Sequence, residues 1–461
     1  MRQKSQTELN YRHYALKESA YAAALPFITG TLLQVFLMNR GVDTLEIGMI
    51  NAAVNLVQVA ATILTSDWAE RKVDICRSSC KTILLQAIIY PCFVVQAALF
   101  GNCTRALVWI TLGSVCIQTA LYACKCVYEY KLLYQIIDIA QYGRLASYTG
   151  VAIGISGAGI SLVYTKLIDS MDGTLPYFLG MACTELLLLL AYRSSRRLTP
   201  VNAMFTGSKP RVTLQQTVMV LRSPMFRRLI IPNLIRGLTI SAMNSIAMIA
   251  LTMGYSESLS AGLSIISAGG YIAASGLYYL LSRRAPPVRS GLLGGAMVLA
   301  MAFLPRHSPL GFMLFFLLAY MGRVMVDYTV PVMLYRMIDP QTAGIYHAWR
   351  SVIHFASAAA MSYLLGALIG KVNLFWILLP CSCAYLLSMI WYGIYYHAYE
   401  THNSQVATRG ELVWPSTHNR DFPTFPKAPL GTVVKISTYP ARVCCSASST
   451  STPMETAAST S

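Results

Sequence analysis

Nine stretches of the chain run about twenty residues or more without a Lys, Arg, Asp or Glu: 19–39, 47–66, 82–104, 106–124, 145–165, 237–256, 258–282, 351–370 and 372–399. A helix crosses the hydrocarbon core in about 20 residues, so each predicts a transmembrane helix. Three further stretches read the same way with an interruption: 175–192 holds Glu185, 286–305 is rich in Gly and Pro, and 310–335 carries Arg323 and Asp327. The total is twelve spans, an even number, so both termini lie on one side. The chain is expected to be all-α, a polytopic membrane protein.

Composition agrees. Hydrophobic residues make up 55% of the chain, charged residues only 12%, and mean hydropathy is +0.51; soluble chains carry roughly 25% charged residues. The net charge of +17 would point to nucleic acid in a soluble domain, but here the basic residues cluster at the ends of apolar runs, where topology puts them. With the N-terminus inside, the inner loops hold 23 Lys and Arg and the outer loops four, Arg40, Arg105, Arg306 and Lys371. That bias places both termini in the cytoplasm and argues against a nucleic-acid partner; the plasma membrane is the expected location. The basic start leads into a long apolar run without a cleavage pattern, so the first span acts as its own insertion signal. The cysteines lie mostly inside apolar runs, and Cys76 and Cys80 lack further ligands at zinc spacing, so neither a disulfide framework, a metal site nor another cofactor is expected.

The longest inner loop, 193–228, divides the chain into two parts that echo one another. Leu132-Leu133-Tyr134-Gln135-Ile136-Ile137-Asp138 follows the fourth span, and Met333-Leu334-Tyr335-Arg336-Met337-Ile338-Asp339 follows the tenth. Asp43-Thr44-Leu45 with Gly48 is matched by Glu257-Ser258-Leu259 with Gly262. These echoes fall in the order that a six-plus-six repeat requires. The expected organisation is a cytoplasmic N-terminus (1–18), an N-terminal six-helix bundle (19–192), a cytoplasmic central loop (193–228), a C-terminal six-helix bundle (229–398) and a disordered cytoplasmic tail (399–461) rich in Ser, Thr and Pro.

Twelve spans in two similar halves with a long basic central loop resemble the major facilitator superfamily of secondary transporters. The family's signature after the second span is a Gly, an Asp four residues on, and a run of basics. Here Ile63 to Lys72 reads Ile-Leu-Thr-Ser-Asp-Trp-Ala-Glu-Arg-Lys, so Asp67, Arg71 and Lys72 match while Ile63, Trp68 and Glu70 depart from it. The resemblance implies a gating role for Asp67 and Arg71. Arg144 and Arg350, at equivalent places after the fourth and tenth spans, are further gating candidates. In that family the first, fourth, seventh and tenth spans line a central cavity. The charges inside spans fall mainly there: Lys125 and Glu129 on the fourth, Arg236 on the seventh, Arg323 and Asp327 on the tenth.

Intramembrane charges are costly and mark either a pathway or an internal pair. In one reading Asp327 or Glu129 exchanges a proton while Arg236 or Arg323 binds an anionic substrate group. In the other, the four-residue spacing of Lys125 with Glu129 and of Arg323 with Asp327 makes structural salt bridges. Pro331 and Gly322 mark a weak point in the tenth span; Gly150, Gly154, Gly157 and Gly159 predict close helix packing in the fifth; and His354 reads as packed and singly hydrogen-bonded. The expected function is secondary active transport of a small solute, anionic or polar, by alternating access, coupled to a proton or sodium gradient, by a monomer in the lipid bilayer. No phosphate-binding loop is present for ATP. A membrane-embedded enzyme and a transport-dead sensor on the same fold remain alternatives. The topology has a direct test: green fluorescent protein fused after Ser461 is expected to fluoresce, and alkaline phosphatase at the same place to be inactive, with the reverse pattern for fusions in the loop holding Lys371.

Overall fold

The computed structural model describes residues 2–71, 74–137, 142–171, 173–201, 214–282, 286–306, 308–338 and 343–408. Among them all regular structure is helical, because a segment in hydrocarbon has to satisfy its backbone N–H and C=O groups within itself. The helices run in order α1 (Arg2–Ile28), α2 (Thr31–Asn39), α3 (Thr44–Arg71), α4 (Ile75–Phe100), α5 (Thr104–Ile136), α6 (Tyr142–Ser170), α7 (Leu175–Ser195) and α8 (Leu214–Arg222). They continue with α9 (Pro224–Asn244), α10 (Ile246–Thr252), α11 (Glu257–Ser282), α12 (Pro287–Val298), α13 (Pro309–Met337), α14 (Ala343–Leu368) and α15 (Phe375–Thr408). A 3-10 segment, Leu299–Arg306, finishes the span that α12 begins. Eleven spans are long and apolar enough to cross a bilayer, and α9 with α10, bent by 47° at their junction, makes a twelfth. The protein is an integral membrane protein. Leu64, Leu99, Trp109 and Leu310 are 70–77% exposed, which is intolerable for large apolar side chains facing water in such numbers and natural for those facing lipid.

Several spans outrun their apolar cores. The first begins in the polar N-terminal stretch: the membrane-length segment is Gln6–Asn39, and Lys17 within it is fully buried. Hydropathy ends a span at a charge, whereas a helix continues through a charge that finds a partner. The seventh span likewise starts at Pro224 rather than near 237, with Ser223 capping it by accepting from Phe226 N–H. The last helix runs to Thr408, past the expected start of the tail.

The helix breaks fall in the first and seventh spans. The first is interrupted between Ile28 and Thr31, where a side chain on Gly30 would come within 2.7 Å of Pro26 Cα. The seventh breaks at Ser245, and the carbonyl of Asn244 at that break accepts from Gln34 Nε2 at 3.1 Å. By contrast α13 passes through Pro331 as one helix. Gly322 is needed for contact: a Cβ there would lie 2.8 Å from Met297 Cβ of α12.

The two halves pinch together at the end where α3 starts, which the charge bias places outside. Gly48 of α3 meets Gly366 of α14, each leaving 2.7 Å between the other's Cα and where its own Cβ would be. Gly154 of α6 approaches the Ala268 carbonyl of α11 as closely, so close packing in the fifth span holds at Gly150 and Gly154, while Gly159 is exposed and meets nothing within 4 Å. Hydrogen bonds gather at the same end: Thr31 with Ser264 at 2.6 Å, Asn39 and Tyr177 both to Glu257 at 2.7 Å, and Thr44 to the Gly366 carbonyl at 3.3 Å. Gly48→Val is expected to force α3 and α14 apart and cost about 1–3 kcal/mol of overpacking. Gly113→Val, where a Cβ meets nothing within 4 Å, serves as the control. Thermal unfolding of the two variants in lipid checks the difference.

Candidate functional site

Between the halves lies a cavity of about 590 Å³, within the ~300–1,000 Å³ of small-molecule sites. Its C-terminal wall is charged. Residues 320, 323 and 327 are spaced along one face of α13, and α9 presents Asn233, Arg236, Ile240, Ser241 and Asn244 to the same space. Arg236 donates from Nη2 to Asp327 Oδ1 at 2.7 Å, while Arg323 Nε stands 3.6 Å from Asp327 Oδ2. Arg323 is anchored instead by its Nη1, which donates to Asn244 Oδ1 at 2.9 Å, and its guanidinium lies 5.4 Å from the ring centre of Tyr320. Arg236 is 7% exposed, Arg323 18% and Asp327 36%. Asp327 is therefore held tightly across helices and only loosely by the arginine one turn before it on its own helix. The four-residue spacing identified the looser of the two pairs.

Arg350 lines the cavity on α14, together with His347 and His354. His354 lines the cavity wall while its ring packs edge-on against Phe355 at 5.1 Å. Arg144 is exposed and is not part of the wall. The side chains of Asp67 and Arg71 lie outside the described residues.

Lys125 and Glu129 do not reach the cavity. The fourth span faces it with Gln118, Tyr122 and Cys126, while Lys125 and Glu129 turn toward α1. There Lys125 Nζ donates to Glu18 Oε2 at 3.0 Å and to Glu129 Oε2 at 2.8 Å, and Lys17 Nζ binds Glu18 Oε1 at 2.8 Å and also Glu129. Two lysines and two glutamates close a ring in which each charge touches two of opposite sign. Lys17 is wholly buried, Lys125 is 2% exposed, and Tyr21 lies under Lys125 at 4.4 Å. The i,i+4 pair was legible, but its partners Lys17 and Glu18 looked like part of the flanking N-terminus.

The N-terminal wall is polar, with Lys131 its one charge among the described residues, and its uncharged stripe was missed. Asn51, Asn55, Gln58, Thr62 and Ser66 line the cavity from α3. Their spacing of four, three, four and four residues is a helical stripe, visible inside an apolar run once amides and hydroxyls are counted separately from charges. Behind it Gln86 and Gln118 exchange side-chain bonds with each other's carbonyls at 3.0 and 3.1 Å. Among the described residues no group of three or more His, Cys, Asp or Glu is placed to hold a metal ion.

No family model matches the chain, and no curated protein matches it by sequence. Solved structures do. A bacterial homologue of the iron transporter ferroportin, in an outward-facing state, superposes with a TM-score of 0.62 at 14% identity over 85% of this chain and 99% of its own. The human organic anion transporter MFSD10 gives 0.57 at 14%, again over 85% and 99%. The nucleoside transporter NupG gives 0.56 at 12%, over 84% and 99%. Identities this low establish a shared fold.

The four-charge ring makes its own prediction. Lys125→Met or Glu129→Gln alone leaves an uncompensated buried charge and is expected to cost about 3–5 kcal/mol, whereas neutralising all four positions together with apolar residues of similar size is expected to recover most of the loss. Unfolding midpoints of the single and fourfold variants measure this. Transmembrane helices in this order, pinched at one end around a polar central cavity, give this chain the major facilitator fold.

Proposed function

We propose that this chain is a secondary active transporter that moves a small polar solute across the plasma membrane by alternating access. The observation that carries the reading is the Arg236–Asp327–Arg323 cluster, set inside a cavity walled by both halves. A site shared between two rigid bodies changes its exposure when they rock, and glycine contacts with a few hydrogen bonds at one end are the kind of closure that can be made and broken at modest cost. With the charge-derived topology, the pinched end is extracellular and the conformation described faces inward. Asp327 has two arginine neighbours of unequal grip, and a cluster of intramembrane charges that an entering ion can re-pair is the basis for coupling to a proton or sodium gradient. Arg350 and the Asp67–Arg71 segment are proposed as gate residues at the open end, and the functional unit as a monomer.

Two variants test this in proteoliposomes screened for uptake of a metabolite library with and without a pH gradient. Asp327→Asn is expected to abolish the response to the gradient. Arg236→Gln, which leaves Asp327 without its 2.7 Å partner, is expected to lower uptake by about tenfold, since Asp327 is about a third exposed and keeps Arg323 at 3.6 Å. Uptake and pH response unchanged in both variants would sink the proposal.

A further inference from the structure

The two walls differ in chemistry, and the difference specifies a ligand. Arg350 on α14 adds positive charge to the C-terminal wall, and within the α9–α13 cluster two guanidinium charges against one carboxylate leave one in excess. That excess resides on Arg323: Arg236 is buried and engaged with Asp327, while Arg323 is oriented by Asn244 and faces the cavity with only a 3.6 Å contact to Asp327. Across the cavity stand buried polar atoms without a hydrogen-bond partner. Gln58 is 4% exposed with Nε2 unpaired, Thr119 is 2% exposed with Oγ1 unpaired, and Gln118 and Gln34, 1% and 3% exposed, each have Oε1 unpaired. All four residues line the cavity. A buried donor or acceptor left unmade is costly, so these groups call for a complement. The set offers a donor, two acceptors and a hydroxyl, and ligand hydroxyls, which both donate and accept, answer all of them. Tyr122, Tyr271 and Phe316 supply apolar wall between the two faces.

We infer that the cavity binds a hydroxylated organic carboxylate of sugar-acid type, its carboxylate on Arg323 and its hydroxyls on Gln58, Thr119 and Gln118. This names the substrate class of the transport site proposed above and rests on that reading for its physiological role. Arg236 is a positioning residue in this assignment: it holds Asp327 away from Arg323 so that the arginine fork is open to a carboxylate.

The test is binding by the full-length protein in lipid nanodiscs, followed by titration calorimetry with five matched probes. Glucuronate combines ring, hydroxyls and carboxylate; glucose lacks the charge; cyclohexanecarboxylate lacks the hydroxyls; glucosamine reverses the charge; glucose 6-phosphate substitutes a phosphate. Glucuronate is expected to bind about tenfold or more tightly than glucose or cyclohexanecarboxylate, with glucosamine weakest. Arg323→Gln should cost glucuronate and cyclohexanecarboxylate about tenfold each, with Arg323→Lys restoring part. Gln58→Leu should weaken glucuronate and leave cyclohexanecarboxylate unchanged, a split that general misfolding would not produce. Equal binding of glucose and glucuronate, no binding of glucuronate, or indifference to Arg323→Gln overturns the inference, and tighter binding of glucose 6-phosphate overturns the carboxylate assignment. Glucuronate that binds but is not moved in proteoliposomes refutes the transport reading and leaves this inference intact. A neutral or cationic solute transported equally by wild type and Arg323→Gln does the reverse.

Discussion

The bond from Arg236 to Asp327 joins α9 to α13 across 91 residues of sequence, inside a molecule whose surroundings tolerate almost no free charge. A carboxylate in that setting has to be paired, and whichever cation pairs with it fixes what the other cations are able to do. Because Arg236 takes Asp327, Arg323 is left to Asn244 and the cavity. Asn244 stands at the break between α9 and α10, so the break in the helix, the orientation of Arg323 and the polarity of the cavity are parts of one arrangement. The first span, broken near Gly30, contributes Gln34 to the same Asn244 from the opposite half.

The protein contains a second set of buried charges with the opposite logic. In the ring of Lys17, Glu18, Lys125 and Glu129 each charge has two neighbours of opposite sign, none reaches the cavity, and the result ties α1 to α5. The cavity cluster has an odd charge and one long contact; the ring has neither. Completeness of pairing separates the brace from the site, and it does so more sharply than depth in the membrane or the span on which a residue lies.

The halves also divide their roles. The C-terminal wall carries most of the charge, on α9, α13 and α14, and the N-terminal wall carries mainly amides and hydroxyls on α3 and α5, with Lys131 its one charge among the described residues. Their contact at one end depends on missing side chains: Gly48 against Gly366 and Gly154 against Ala268 bring helix backbones close enough for hydrogen bonds such as Thr44 to Gly366. Van der Waals contact between flat helix faces supplies attraction without the hydrophobic effect, which is absent between helices already in lipid.

Hydropathy alone determined that the chain is a helical membrane protein of about twelve spans, because the bilayer imposes one length and one backbone solution on every crossing segment. It also located Arg236, Arg323 and Asp327, since a charge within an apolar run is conspicuous. It did not find Lys17 and Glu18, whose polar neighbours made them look like solvent-facing flank, nor the stripe from Asn51 to Ser66, whose uncharged residues barely lower the hydropathy of their span. Tertiary structure alone decided who pairs with whom. The spacing of Arg323 and Asp327 is a property of one helix and is visible in sequence, but the stronger bond to Asp327 comes from another helix, and no local pattern encodes which of two arginines will lie closer once the helices pack.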